Sequence, residues 1–170
     1  MLAAVDIGTN TVRMVIAEVA GGNNPAPPRY RQTITRLGGG MTRQEGLTPK
    51  AMERTLLALI ACAEFIRGFA PASVRVSGTA ALRCAVNAAD FIDKVREETG
   101  FSVEIIAGTE EAALTTAGVL SVLNPLPPRS LLFDIGGGST EIILLEGRQL
   151  GDFIDRDGAF LYSPNPVLSL

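Results

Sequence analysis

The spacing of apolar positions changes period several times along the chain, and each change marks a predicted element. Leu2 to Ile7 and Val12 to Val19 are short apolar runs around a Gly-Thr-Asn break, which predicts two antiparallel strands joined by a tight turn. Gly21 to Arg29 carries Asn-Asn and three prolines and reads as a surface loop. Tyr30 to Leu37 alternates polar and apolar residues with β-branched Thr and Ile, consistent with a third, half-exposed strand. Gly38 through Gly46 reads as a flexible connector. Beyond it the period becomes helical: Met52, Leu56, Leu59, Ile60, Ala63 and Ile66 recur up to Gly68, behind an N-cap at Thr48 and proline at the first helical position, Pro49.

The alternation of strand and helix then continues. Ser73 to Ser77 predicts a short strand, Gly78 to Ala81 a turn leading to Arg83, and Asn87 the cap of a helix whose inner face holds Phe91, Ile92 and Val95 before Gly100 stops it. Phe101 to Ile106 is the next strand, and Thr109 caps a helix running to about Leu123, where Pro125, Pro127 and Pro128 break the chain. Three antiparallel strands followed by alternating helices and strands make a mixed sheet with helices on its faces, an α/β layer fold. The predicted first domain is therefore residues 1–124. A second begins within 125–170, where Ser130 to Phe133 and Ile142 to Leu145 read as one more pair of strands.

That last pair encloses Asp134-Ile-Gly-Gly-Gly-Ser-Thr-Glu141. Glycines in a tight turn can take positive φ and, lacking side chains, leave backbone N–H groups open to an anion. Ser139 and Thr140 add hydroxyl donors, while Asp134 on the incoming strand and Glu141 on the outgoing one suit a hydrated divalent cation beside a phosphate. The same pattern occurs 128 residues earlier as Asp6-Ile-Gly-Thr-Asn-Thr11, with Asp on Asp, Gly on Gly and Thr11 on Ser139. A repeat at that spacing predicts two related halves, each opening with a hairpin, and two such hairpins facing each other would grip a phosphate chain from both sides.

Composition narrows the function classes. A net charge of −3 and a pI near 5.0, with basic residues scattered, argue against a DNA- or RNA-binding surface. There is no His, which removes imidazole catalysis and His-based zinc sites. No apolar run reaches transmembrane length, the first residues meet Asp6 too early for a signal peptide, and Cys62 and Cys84 read as buried free thiols. Together these predict a cytoplasmic protein with no membrane partner.

Four motifs in order, Asp6 to Arg13, Ser77-Gly-Thr-Ala-Ala-Leu-Arg83, Ala107-Gly-Thr-Glu-Glu-Ala112 and Asp134 to Glu141, resemble the exopolyphosphatase and guanosine-pentaphosphate phosphatase family. That family lies within the actin, heat-shock chaperone and sugar-kinase superfamily, so the resemblance implies a ribonuclease-H-like half-domain followed by the first hairpin of a second half. It covers about residues 2–147. It also implies Mg²⁺-dependent hydrolysis of the terminal phosphoanhydride of inorganic polyphosphate or guanosine pentaphosphate. Glu111 matches the family's catalytic base, with Glu110 as its helix-dipole neighbour. Arg83 would contact the phosphate chain, Asp134 and Glu141 would hold Mg²⁺, and Asp6 would share the ion or order water around it. Asn10, Thr11, Gly137, Gly138, Ser139 and Thr140 would donate to phosphate oxygens.

Beyond Gly147 the resemblance fades, and Arg148 to Leu170 reads as an apolar, proline-bearing tail. A truncated or frame-shifted product, a cut piece, or a piece that borrows its partner in a homodimer would each account for it. A weakly active or inactive fragment is the expectation. Two other readings stay open: an ATP-dependent sugar or acetate kinase of the same superfamily, and a non-catalytic half-domain that binds phosphate or a partner.

Overall fold

The structure, a computed structural model, describes residues 1–18, 26–123 and 125–146. Most of the predicted loop at 21–29, the end of the second predicted strand at Val19, and the tail from Arg148 onward lie outside the described residues. The chain divides into two compact units, Met1–Ile105 and Ile106–Leu170. The division falls before the last helix, not at the proline break.

The first unit contains β1 (Leu2–Ile7), β2 (Thr11–Ala17), β3 (Arg29–Ile34), α1 (Pro49–Arg67), β4 (Ser73–Gly78), α2 (Ala80–Cys84), α3 (Ala88–Thr99) and β5 (Val103–Ile105). Its sheet has the order β3-β2-β1-β4-β5. β2 is antiparallel to both β1 and β3, while β4 is parallel to β1 and β5 to β4. This is the mixed sheet of a ribonuclease-H-like half-domain. Period-two alternation puts Ala3, Val5, Ile7, Val12, Met14 and Ile16 on one face, where they are buried with Leu56, Leu59, Ala63 and Ile66 of α1 and Phe91 and Val95 of α3. Burying each large side chain there contributes about 1.5–3 kcal/mol.

α1 starts as predicted: the Thr48 side chain accepts from the Ala51 N–H and Pro49 opens the helix. β3 departs from its expected length and exposure. All six of its residues are exposed, and it ends at Ile34 because the Thr35 and Arg36 N–H groups both turn to the Asn10 carbonyl at 2.9 Å. Arg36 has a left-handed backbone, φ 49°. Cations shield this edge strand, with the Arg31 guanidinium 3.5 Å from the Phe65 ring centroid and Arg29 4.9 Å from that of Phe69.

The glycine-rich connector is a succession of hydrogen-bonded turns. Gly38 N–H donates to Thr9 O, Thr42 and Gly46 exchange backbone bonds, and Arg54 Nε holds Thr35 O at 2.9 Å. Asn87, expected to cap α3, makes no side-chain cap bond. Its amide pairs instead with the Leu47 backbone, accepting from the N–H at 2.8 Å and donating to the carbonyl at 3.0 Å. Gly46, at φ 73°, is required there, since a Cβ would lie 2.1 Å from Asn87 Oδ1. The predicted turn before Arg83 contains the short helix α2, and β5 is only three residues long. Both cysteines are free, but only Cys62 is buried; Cys84 is exposed, which corrects the expectation for that residue. Burial pushes the Cys62 thiol up from its ordinary value, opposed in part by Arg31.

The second unit contains α4 (Gly108–Val122), β6 (Arg129–Ile135) and β7 (Thr140–Glu146). Its helix begins a residue ahead of Thr109: Ala107 is the N-cap, with no side-chain cap bond, and its carbonyl accepts from the Glu111 N–H at 3.0 Å. β6 and β7 pair antiparallel from Arg129↔Glu146 to Ile135↔Thr140. One face packs Leu132, Ile143 and Leu145 with Ala112 and Leu120 of α4. The other leaves Leu131, Phe133 and Ile135 exposed at 59%, 60% and 77%. Among the described residues no helix is long and apolar enough to cross a membrane.

Candidate active site

The two turns that repeat in sequence also repeat in hydrogen bonding. Gly8 N–H donates to Thr11 O at 2.9 Å, and Gly136 N–H donates to Ser139 O at 3.0 Å. Neither glycine takes the left-handed conformation. What each position needs is space, because an added Cβ would lie 3.0 Å from Thr11 O in one turn and 3.1 Å from Ser139 O in the other. The strands leaving the turns carry different chemistry, however. Asp6 faces Arg13 across the first ladder, and Asp134 faces Glu141 across the second.

In the first unit, β1 and β4 run parallel and end side by side at Ile7↔Gly78. Ligands of open α/β sheets bind at such carboxyl ends. Thr79 N–H donates to Ile7 O at 3.2 Å, and Arg83 N–H to Thr79 O at 3.0 Å, so the helix bearing Arg83 starts beside the first turn. Asn10 and Thr11 stand in that turn, where the Asn10 carbonyl is held by two amides of the following connector. The Arg13 guanidinium lies 3.9 Å from the Asp6 carboxylate, and both are well exposed, so the pair contributes at most about 1 kcal/mol. Asp6 therefore has a cation on its own hairpin.

In the second unit, Asp134 and Glu141 project from the same face of the hairpin, as directly paired residues must. Glu141 is 1% exposed, and its Oε1 has no hydrogen-bond partner. The other carboxylate is partly committed: Thr115 Oγ1 of α4 donates to Asp134 Oδ2 at 2.7 Å. Two acids side by side with an unpartnered buried oxygen are costly unless something positive joins them. The donor set is all oxygen, which suits Mg²⁺. Within either unit, no group of three or more Cys, Asp or Glu side chains gathers at metal-binding spacing among the described residues. The third acid of the expected set, Asp6, belongs to the first unit.

Glu111 is half-buried in the first turn of α4, and Glu110 beside it is exposed. Residues four apart share a helix face, so Glu111 and Thr115 lie on one stripe. In the second unit Glu111 shares its helix stripe with Thr115, whose hydroxyl meets Asp134, the cross-strand partner of Glu141, while Asp6, Asn10, Thr11 and Arg83 lie in the first. Gly137 and Gly138 are exposed at the tip of the second turn, followed by half-buried Ser139 and Thr140. Two residues were missed by sequence reasoning: Arg13, legible from hairpin register as the partner of Asp6, and Thr115, whose only signal is its spacing from Glu111.

The Ppx/GppA phosphatase family profile matches residues 15–157. An exopolyphosphatase from Cytophaga hutchinsonii is similar with a TM-score of 0.81 at 29% identity, over 95% of this chain and 48% of its own. A PPX-GPPA enzyme from Aquifex aeolicus gives a TM-score of 0.73 at 32% identity, over 86% of this chain and 48% of its own. An exopolyphosphatase-like protein gives 0.72 at 35% identity, over 84% and 44%. The chain spans about half the length of the solved structures it matches.

Proposed function

Because the chain belongs to the Ppx/GppA phosphatase family, we propose that it carries the water-activating and phosphate-binding groups of a phosphoanhydride hydrolase. The substrate class is inorganic polyphosphate or guanosine pentaphosphate, which share the scissile bond. The observation that carries this reading is the Asp134–Glu141 acid pair, with its unpartnered Glu141 oxygen, at the foot of a glycine turn and against the helix of Glu111.

Each turn is suited to binding phosphate oxygens. Backbone N–H groups at Gly137 and Gly138 and the hydroxyls of Ser139 and Thr140 serve one, and Asn10, Thr11 and the Arg83 guanidinium serve the other. Asp134 and Glu141 would hold the Mg²⁺ ion, which when bound neutralises charge developing on the phosphoryl oxygens. We assign ligation to these two acids; Asp6, already beside Arg13, has the lesser role of ordering water. Glu111 accepts a proton from water as the water oxygen bonds to the terminal phosphorus. The bridging P–O bond breaks, and its electron pair leaves with the shortened chain. The exposed Glu110 complements the helix N-terminus.

Phosphate release from long-chain polyphosphate and from guanosine pentaphosphate, each with wild type and Glu111→Gln, tests the reading. A general base is worth roughly 10²–10⁴ in rate, so both activities should fall together by that factor. Unchanged turnover in Glu111→Gln would remove the base assignment.

A further inference from the structure

Helical threonines usually satisfy their hydroxyl within the helix, by donating to the carbonyl four residues back. Thr55 does so to Ala51 at 2.8 Å, Thr99 to Val95 at 2.6 Å and Thr116 to Ala112 at 2.8 Å. Thr115 does not. Its hydroxyl leaves α4 and donates to Asp134 Oδ2 at 2.7 Å.

We propose that Thr115 is a positioning residue for divalent-cation binding at Asp134 and Glu141, an inference that rests on the metal reading given above. A carboxylate on a strand can rotate about its terminal torsion, and that torsion is soft. A donor on Oδ2 fixes the rotation and commits one oxygen, leaving Oδ1 for an ion shared with the unpartnered Oε1 of Glu141. The bond also links two parts of the proposed chemistry. Thr115 lies four residues from Glu111, just over one helical turn and about 6 Å along the axis. The stripe that carries the proposed base is therefore tied to the strand that carries the proposed ligand. Most of the packing between α4 and the hairpin is apolar, through Ala112, Leu120, Ile143 and Leu145, and would hold the helix without fixing a carboxylate's rotation.

The test is Mn²⁺ binding to the whole chain, read by loss of the free-ion electron paramagnetic resonance signal and by competition with Mg²⁺. It compares wild type with Thr115→Val, Thr115→Ser, Thr116→Val and Asp134→Asn. Thr115→Val keeps the shape and removes the donor, so Mn²⁺ affinity should fall about tenfold or more. Thr115→Ser restores the hydroxyl and should stay within about threefold of wild type. Thr116→Val removes a hydroxyl bonded inside the same helix and should leave the affinity unchanged whatever it does to melting temperature. If Thr115→Val does not fold, Thr115→Ala carries the same expectation. Wild-type affinity in the folded Val or Ala variant, with Asp134→Asn impaired, overturns the role of Thr115 alone. Wild-type affinity in Asp134→Asn overturns the metal reading and this inference with it. Equal losses in Thr115→Val and Thr115→Ser show that packing, not the hydroxyl, is what matters.

Discussion

The hairpin β1–β2 lies within a five-stranded sheet, its inner face buried against two helices and its turn tied to the following connector through the Thr9 and Asn10 carbonyls. The hairpin β6–β7 forms a two-stranded sheet with one face on α4 and the other, bearing Leu131, Phe133 and Ile135, exposed. Both close their turns with the same glycine N–H bond. The same turn bond thus sits on unequal foundations. The cross-strand residues also differ: the first hairpin answers its Asp with Arg13, and the second sets Glu141 against its Asp. A shared turn can serve both as a phosphate loop, but only the second hairpin is left needing a cation from outside.

The largest effect expected of this contrast is on stability. Leu59→Ala, at a fully buried position of α1, should cost about 2–5 kcal/mol in denaturant unfolding of the first unit. Phe133→Ser, on the exposed face of β6, should cost less than about 0.5 kcal/mol and reduce self-association in sedimentation. A large loss of stability from the second change would mean that face is covered, and the contrast would fail.

Intermediate effects are expected at the turns. Gly8→Ala and Gly136→Ala meet backbone oxygens at nearly the same distance, so each should destabilise its own hairpin by about 1–3 kcal/mol. Hydrogen exchange, resolved by strand, would separate them; unequal penalties would show that the two turns are not mechanically alike. Arg13→Gln touches only an exposed pair and should cost about 0.2–1 kcal/mol.

The smallest effect concerns Cys62. Its raised thiol pKa means that the folded form stays protonated where the unfolded chain ionises. The associated stability is full below about pH 9.0, the thiol's ordinary value, and is lost as pH rises toward the folded value. Denaturation midpoints should therefore fall faster above that pH in wild type than in Cys62→Ala. Alkylation at neutral pH should label exposed Cys84 well before Cys62.

Much of this was legible in the sequence. Both hairpins, the capped start of α1 and the glycine stop of α3 are written in adjacent residues, and local chemistry decides them. Three of the misses share one cause, which is a polar group claimed by a distant partner. β3 stops early because Asn10, more than twenty residues upstream, takes its next two amides. Asn87 leaves its expected cap for Leu47, forty residues away. Thr115 leaves its helix for Asp134. In the site, Asp6 and Asp134 could be read from the repeat and Glu111 from the family resemblance, whereas the contrast between Arg13 and Glu141 required the strand register.

The central claim is that the second hairpin, and not the first, supplies the ligands of a divalent cation. Calorimetric titration of Mg²⁺ into the whole chain, alongside Glu141→Gln and Asp6→Asn, tests it most directly. The account predicts binding by wild type, its loss or at least tenfold weakening in Glu141→Gln, and near-wild-type affinity in Asp6→Asn. Binding that survives Glu141→Gln and disappears in Asp6→Asn would contradict it.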